Sequence, residues 1–108
     1  MSGGNPWAGE VALVVDGERR VCKLTLSALA ELEASMEADS LVALVDRFET
    51  GGFRARDVIA LLVAGLRGGG WVGGARDLAA AEIEGGPVEA TRVAALLLGR
   101  AFALPVRA

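Results

Sequence analysis

The sequence predicts an α+β fold in which one N-terminal β-hairpin precedes a bundle of four to five short helices. Three observations carry this expectation. Residues 9–26 hold the hairpin signal, two alternating stretches on either side of Asp16 and Gly17. From Ser27 onward the apolar residues recur at spacings of three and four, the period of a helix. Runs of glycine at 51–52, 68–70, 73–74 and 85–86 then cut this helical stretch into short pieces. The expected organisation is a flexible lead-in over residues 1–8, a single α+β domain over 9–104 and a tail over 105–108.

In the first strand Val11, Leu13 and Val15 alternate with Glu10, Ala12 and Val14, and beyond the turn Cys22, Leu24 and Leu26 alternate with Arg19, Val21, Lys23 and Thr25. Asp-Gly favours a tight loop, because Gly17 accepts a positive φ without steric cost and Asp16 tolerates one. A two-residue and a four-residue loop differ by an even shift of register. Either therefore places Val11, Leu13, Val15, Cys22, Leu24 and Leu26 on one face. A lone hairpin is marginal in water, so this face needs a cover. The helix that follows at once supplies it, with Ser27 as the expected N-cap and Leu29, Leu32 and Met36 as its apolar stripe.

Glu37, Ala38, Asp39 and Ser40 break the pattern, and Asp39 or Ser40 caps a second helix with Leu41, Leu44, Val45 and Phe48 on one face. Gly51 and Gly52 stop it. In the third helix Val58, Ile59, Leu61, Leu62, Val63 and Leu66 cover well over half the circumference, which marks it as the centre of the packing. Arg67 suits the negative end of its dipole, and Gly68, Gly69 and Gly70 end it ahead of Trp71 and Val72. Residues 75–84 form a short helix with Leu78 and Ile83 as its large apolar residues. Pro87 sits at the first position of a last helix, from 87 to about 103, and Pro105 marks its end. There Val88, Val93, Leu96, Leu97, Leu98, Phe102 and Leu104 wrap around the axis and leave a polar strip at Glu89, Arg92 and Arg100. Leu96, beside that strip, is either ordinary surface or the start of an interface.

Composition narrows the function classes. A hydrophobic share of 53% is high for a chain of 108 residues, so part of the apolar count is alanine or part of the apolar surface belongs to a partner. The net charge is -3 with the basic residues scattered, which lacks the electrostatic footprint of a nucleic-acid binder and provides no basic recognition helix. The first ten residues, MSGGNPWAGE, have neither the positive nor the apolar region of a signal peptide. The longest apolar runs, residues 58–66 and 93–98, fall short of the roughly 20 residues that span a bilayer. A soluble cytoplasmic protein without membrane or nucleic-acid partners is the expectation. Trp7 either folds back over the hairpin edge or stays exposed.

Side-chain chemistry offers little for catalysis. The chain has no histidine, no tyrosine and a single cysteine, so neither a histidine-based triad nor a His/Cys metal site is available. Cys22, on the buried face of a strand, reads as a small core residue. Glu31, Glu33, Glu37 and Asp39 lie close in sequence but lack the alternating ligands and loop glycine of a calcium-binding loop, and read as a solvated helix face. The run GLRGGGWVGG is followed by no Gly-Lys-Ser/Thr and preceded by no strand, so it reads as a helix end and a connection. No catalytic, cofactor-binding or metal-ligating residue is expected, and no cofactor.

The order of the motifs is more telling than any one of them. GEV-x-L-x-x-DGE-x5-L-T-L-x-AL-AELEA, then SLVALVDRFE, DVIALLVAGLRGGGW and EIEGGPVEATRVAALLLGRAF, together spanning residues 9–102, resemble the small proteins of the tail-gene cluster of gene transfer agents and related tailed-phage tail assembly chaperones. The same family is also labelled a tail tube protein. The resemblance implies a non-enzymatic protein that holds the tape-measure protein or tail-tube subunits soluble until the tail tube polymerises. It also keeps a structural tube component in view, and a homo-oligomer as a further arrangement. One hairpin ahead of a long helical remainder is little sheet for a β-sandwich tube, which ranks the chaperone first. No site residue comes with the resemblance, and residues 1–8 and 103–108 match nothing in it.

Overall fold

The computed structural model describes residues 9–36 and 40–102. Two strands, β1 (Val11–Val15) and β2 (Glu18–Cys22), are followed by five helices: α1 (Leu26–Ser35), α2 (Leu41–Thr50), α3 (Ala55–Gly68), α4 (Ala75–Ala80) and α5 (Gly86–Ala101). The fold is the expected α+β arrangement of hairpin and short helices.

β1 and β2 pair antiparallel with Val15 opposite Glu18 and Val11 opposite Cys22, so the loop is the two-residue form. Asp16 at φ 50° and Gly17 at φ 82° both take the left-handed conformation, as a hairpin turn matched to strand twist requires. Val11, Leu13, Val15 and Cys22 share the buried face, and Leu24 packs against its margin. Leu26 does not follow them: it is 85% exposed. The alternation ends at Thr25, whose hydroxyl accepts the Ala28 amide at 3.1 Å, making Thr25 rather than Ser27 the N-cap of α1. Leu26 is thus the first helical residue and turns outward with the first turn. The buried residues of α1 are Ala28 and Leu32, while Leu29 is only half-buried and Met36 packs at the edge of the core.

α2 is capped by Ser40, whose hydroxyl accepts the Ala43 amide at 3.1 Å, and it ends where Gly52 donates to the Arg47 carbonyl at 2.8 Å. Leu44 is buried, Leu41 and Val45 pack beside it, and Phe48 stacks on Phe53 with centroids 4.6 Å apart.

α3 is the centre of the packing, touching β2, α1, α4 and α5. The Lys23 amide donates to the Gly65 carbonyl at 2.9 Å, fixing the helix to the end of the hairpin. At Gly68 and Gly69 a Cβ would overlap the carbonyl oxygens of Lys23 and Val21. These glycines therefore do more than stop the helix, since they let α3 seat directly on the backbone of β2. The Gly70 and Trp71 amides then turn back to the Arg67 and Leu66 carbonyls at 3.0 and 2.9 Å, a Schellman closure.

α4 ends at Ala80, short of the expected 84. The reason is a competing set of backbone bonds: Asp16 donates to the Glu82 carbonyl at 2.8 Å, Glu84 donates to the Val14 carbonyl at 3.1 Å, and Ile83 bridges Val15 in antiparallel sense. Residues 82–84 thus add a short rung to the outer edge of β1, where Asp16 Oδ1 also accepts the Glu82 amide at 2.8 Å. α5 starts at Gly86 and ends at Ala101. Val93, Ala94, Leu97 and Leu98 are buried and Leu96 packs half-buried on the core, so Leu96 is not free surface. Val88 is exposed at the first turn, so the large apolar residues of α5 do not all turn inward. Arg100 Nη1 donates to the Glu10 carbonyl at 2.6 Å, tying the end of α5 to the start of the hairpin. The expectations for Trp7, Glu37, Asp39, Leu104 and Pro105 lie outside the described residues.

Candidate functional site

α1 and α3 pack side by side, yet one stripe of α3 escapes both α1 and α4. Ile59, Ala60 and Val63, a helical turn apart, are only partly buried, and they floor a cleft of about 620 Å³. Glu31, Leu32 and Ser35 of α1 form one wall. Residues 73–76 and Ala79 form the other, and Arg56 and Arg67 stand in the first and last turns of α3.

One corner of this groove is fastened. Arg67 Nε donates to Glu31 Oε1 at 2.9 Å and its Nη1 to the Gly73 carbonyl at 3.2 Å, so a single guanidinium joins α1, α3 and the connection to α4. The hydrogen bond and the charge of Arg67 hold the Glu31 carboxyl below the usual glutamate value, and Glu31 in turn raises the guanidinium above its own. Both side chains face solvent, so this pair sets geometry more than stability. Arg56 and Arg76 differ: among the described residues neither makes a hydrogen bond or a salt bridge.

The other residues singled out by sequence are accounted for locally. Cys22 is fully buried and burial pushes its thiol up to about 12, so it stays protonated and unreactive at neutral pH. Glu31 is engaged with Arg67, and among the described residues no three His, Cys, Asp or Glu side chains converge as metal ligands would. Glu89 and Arg92 form a two-bond surface pair at 2.8 and 2.7 Å, the guanidinium holding the carboxyl below its ordinary value. Among the described residues no helix is long and apolar enough to cross a membrane.

The family model described as "Phage tail tube protein, GTA-gp10" matches residues 8–104. The chain belongs to this family. The family match covers both the hairpin and every helix of the fold. No curated protein and no solved structure gives a match to the chain.

The sequence points to Glu31, Leu32, Ile59, Val63 and Arg67 separately, as a solvated face, helix core and a helix end, and does not bring them together as a groove. The signal was nevertheless there: Ile59 and Val63, bracketed by Arg56 and Arg67 on one face of a helix already apolar on its other sides, exceed what one core needs. What the sequence lacked was the placement of α1 and α4, which decides which stripe of α3 stays open.

Proposed function

We propose that the protein is a non-enzymatic tail assembly chaperone of a gene transfer agent or phage-like particle. It binds the tape-measure or tail-tube protein in the cytoplasm, acts through residues 9–104 as one α+β unit, and leaves before the particle is finished. The observation that carries this reading is the poverty of sheet in a tail-family chain. Among the described residues there are two five-residue strands against five helices. A tube wall built by sheet closure needs free strand edges to pass from subunit to subunit. Here the β1 edge is engaged by residues 82–84 and the end of β2 by the last turn of α3. An open apolar groove, in contrast, suits reversible contact with a helical client.

The family's own description as a tail tube protein favours a second reading, a structural component of the tube. The two predict opposite compositions for the same sample. Mass spectrometry of purified particles decides: absence of the chain, with tailless particles on deletion of the gene, supports the chaperone, and presence at the level of the major tail subunit replaces it with the structural role.

A further inference from the structure

We propose that the groove between α1, α3 and residues 73–79 docks an amphipathic helix of another protein whose flanking positions are acidic. That the helix belongs to a tail protein rests on the functional reading above; its chemistry rests on the groove. The floor, Ile59, Ala60 and Val63, is a single helical stripe that two neighbouring elements flank without covering, and Ala60 in its middle lets a second helix approach closely.

Charge selects the occupant. Three arginines and one glutamate line the groove, in a chain whose net charge is -3, so the lining reverses the sign of the molecule locally. Arg67 and Glu31 satisfy each other. Arg56 on α3 and Arg76 on α4 make no hydrogen bond or ion pair among the described residues, although the charge of Arg56 reaches Asp57, and both stand beside an apolar floor. A guanidinium in that setting is completed by a carboxylate, which it binds through two parallel hydrogen bonds. A nucleic acid strand fits less well, because the lining holds no aromatic ring on which a base would stack.

The test is a display library of helical peptides with apolar residues fixed at i, i+3, i+4 and i+7 and the flanks varied among Glu, Lys and Gln. It is selected against the full chain and against the double variant Arg56→Glu/Arg76→Glu, whose melting temperature confirms that it folds. The expected result is recovery of acid-flanked peptides that bind the parent roughly tenfold tighter than their lysine-flanked counterparts, about what two rim ion pairs supply. The preference is lost or inverted in the double variant, and bound peptide shifts the amide resonances of Ile59, Ala60 and Val63. Recovery of flank-neutral peptides, no recovery at all, or shifts centred on Leu26 and Val72 instead overturns the assignment. A parent chain that self-associates, and stops doing so in the double variant, also overturns it by making a second copy the occupant. Particle composition is a separate readout. Finding the chain in finished particles removes the chaperone reading but leaves the acid preference standing, whereas loss of that preference removes only the groove assignment.

Discussion

Asp57, at the start of α3, grips Arg47, near the end of α2, through two parallel hydrogen bonds: Oδ2 accepts Nε at 3.0 Å and Oδ1 accepts Nη2 at 2.9 Å. Oδ2 also accepts the Arg54 amide at 2.8 Å, so the same carboxylate caps α3. It is the one buried charged side chain among the described residues, and α2 offers a single fully buried residue, Leu44, to hold it otherwise. The pair is therefore the polar anchor of α2.

The anchor makes stability sensitive to acid. Burial by itself raises the Asp57 pKa, but the Arg47 hydrogen bonds, the Arg54 amide and the charges of Arg47 and Arg56 outweigh it and leave the value below the usual 3.8. A carboxyl lowered in the folded state adds stability that is complete above its unfolded pKa and drains away as pH falls from there through the folded one. Asp57→Ala is expected to cost about 2 kcal/mol at pH 7, because it removes two charge-assisted hydrogen bonds between α2 and α3 and the carboxylate that caps α3. Urea midpoints at pH 7 and pH 3 check this: the gap between parent and variant narrows at pH 3. An equal gap at both values would show that the carboxylate's charge is not what holds α2.

Leu62 tests whether α3 is core. Its side chain is 2% exposed, in the middle of the central helix of the packing. Leu62→Asp buries an unpaired charge at a cost of several kcal/mol, comparable to the whole stability of a small domain, and is expected to abolish the cooperative thermal transition. Glu31→Ala and Glu33→Ala, on the exposed side of α1, are expected to melt close to the parent. A folded Leu62→Asp would reassign this face of α3 from core to surface.

The parts of the fold legible in sequence are those where a local pattern and the tertiary environment ask for the same thing. The hairpin face of Val11, Leu13, Val15 and Cys22 follows from parity, because no even shift of register changes it. A cap at Asp39 or Ser40, which the structure gives to Ser40, and the glycine stops follow from backbone chemistry. Misses occur where tertiary bonds compete. Thr25 and Ser27 are both good caps, and only the path of the chain out of β2 favours Thr25. Residues 81–84 have helical composition, yet the open edge of β1 offers their backbone another set of partners. The groove was illegible for the same reason: nothing local states which stripe of α3 its neighbours leave bare.

Asp16 should control that extra rung. Its carboxylate accepts the Glu82 amide and its own amide donates to the Glu82 carbonyl. Asp16→Ala removes an acceptor and places alanine at φ 50°, with an expected loss of about 1–2 kcal/mol. Hydrogen exchange gives the sharper readout: the Glu84 amide, bonded to Val14, is expected to lose protection while the Lys23 amide, bonded to Gly65, keeps it. Unchanged exchange at Glu84 would mean that residues 82–84 are held by Ile83 packing alone.

Gly69, which caps α3, and Gly99, inside α5, should respond in opposite directions to the same change. At Gly69 an added Cβ would overlap the Val21 carbonyl oxygen, and β2 has little room to retreat because Val21 pairs with Ala12 and the Lys23 amide is bonded to Gly65. The close seat of α3 on the hairpin would have to open, which costs typically about 1–3 kcal/mol for an overpacked site. At Gly99, inside α5 on its exposed side, an added Cβ meets nothing within 4 Å and the backbone is already helical. There alanine only removes freedom from the unfolded chain, so a gain of about 0.5–1 kcal/mol is expected. Denaturant midpoints of Gly69→Ala and Gly99→Ala, measured beside the parent, check both signs at once. A Gly69→Ala variant as stable as the parent would mean that α3 can lift from β2 without loss, and the hairpin would then be an attachment to the helical bundle rather than part of its core.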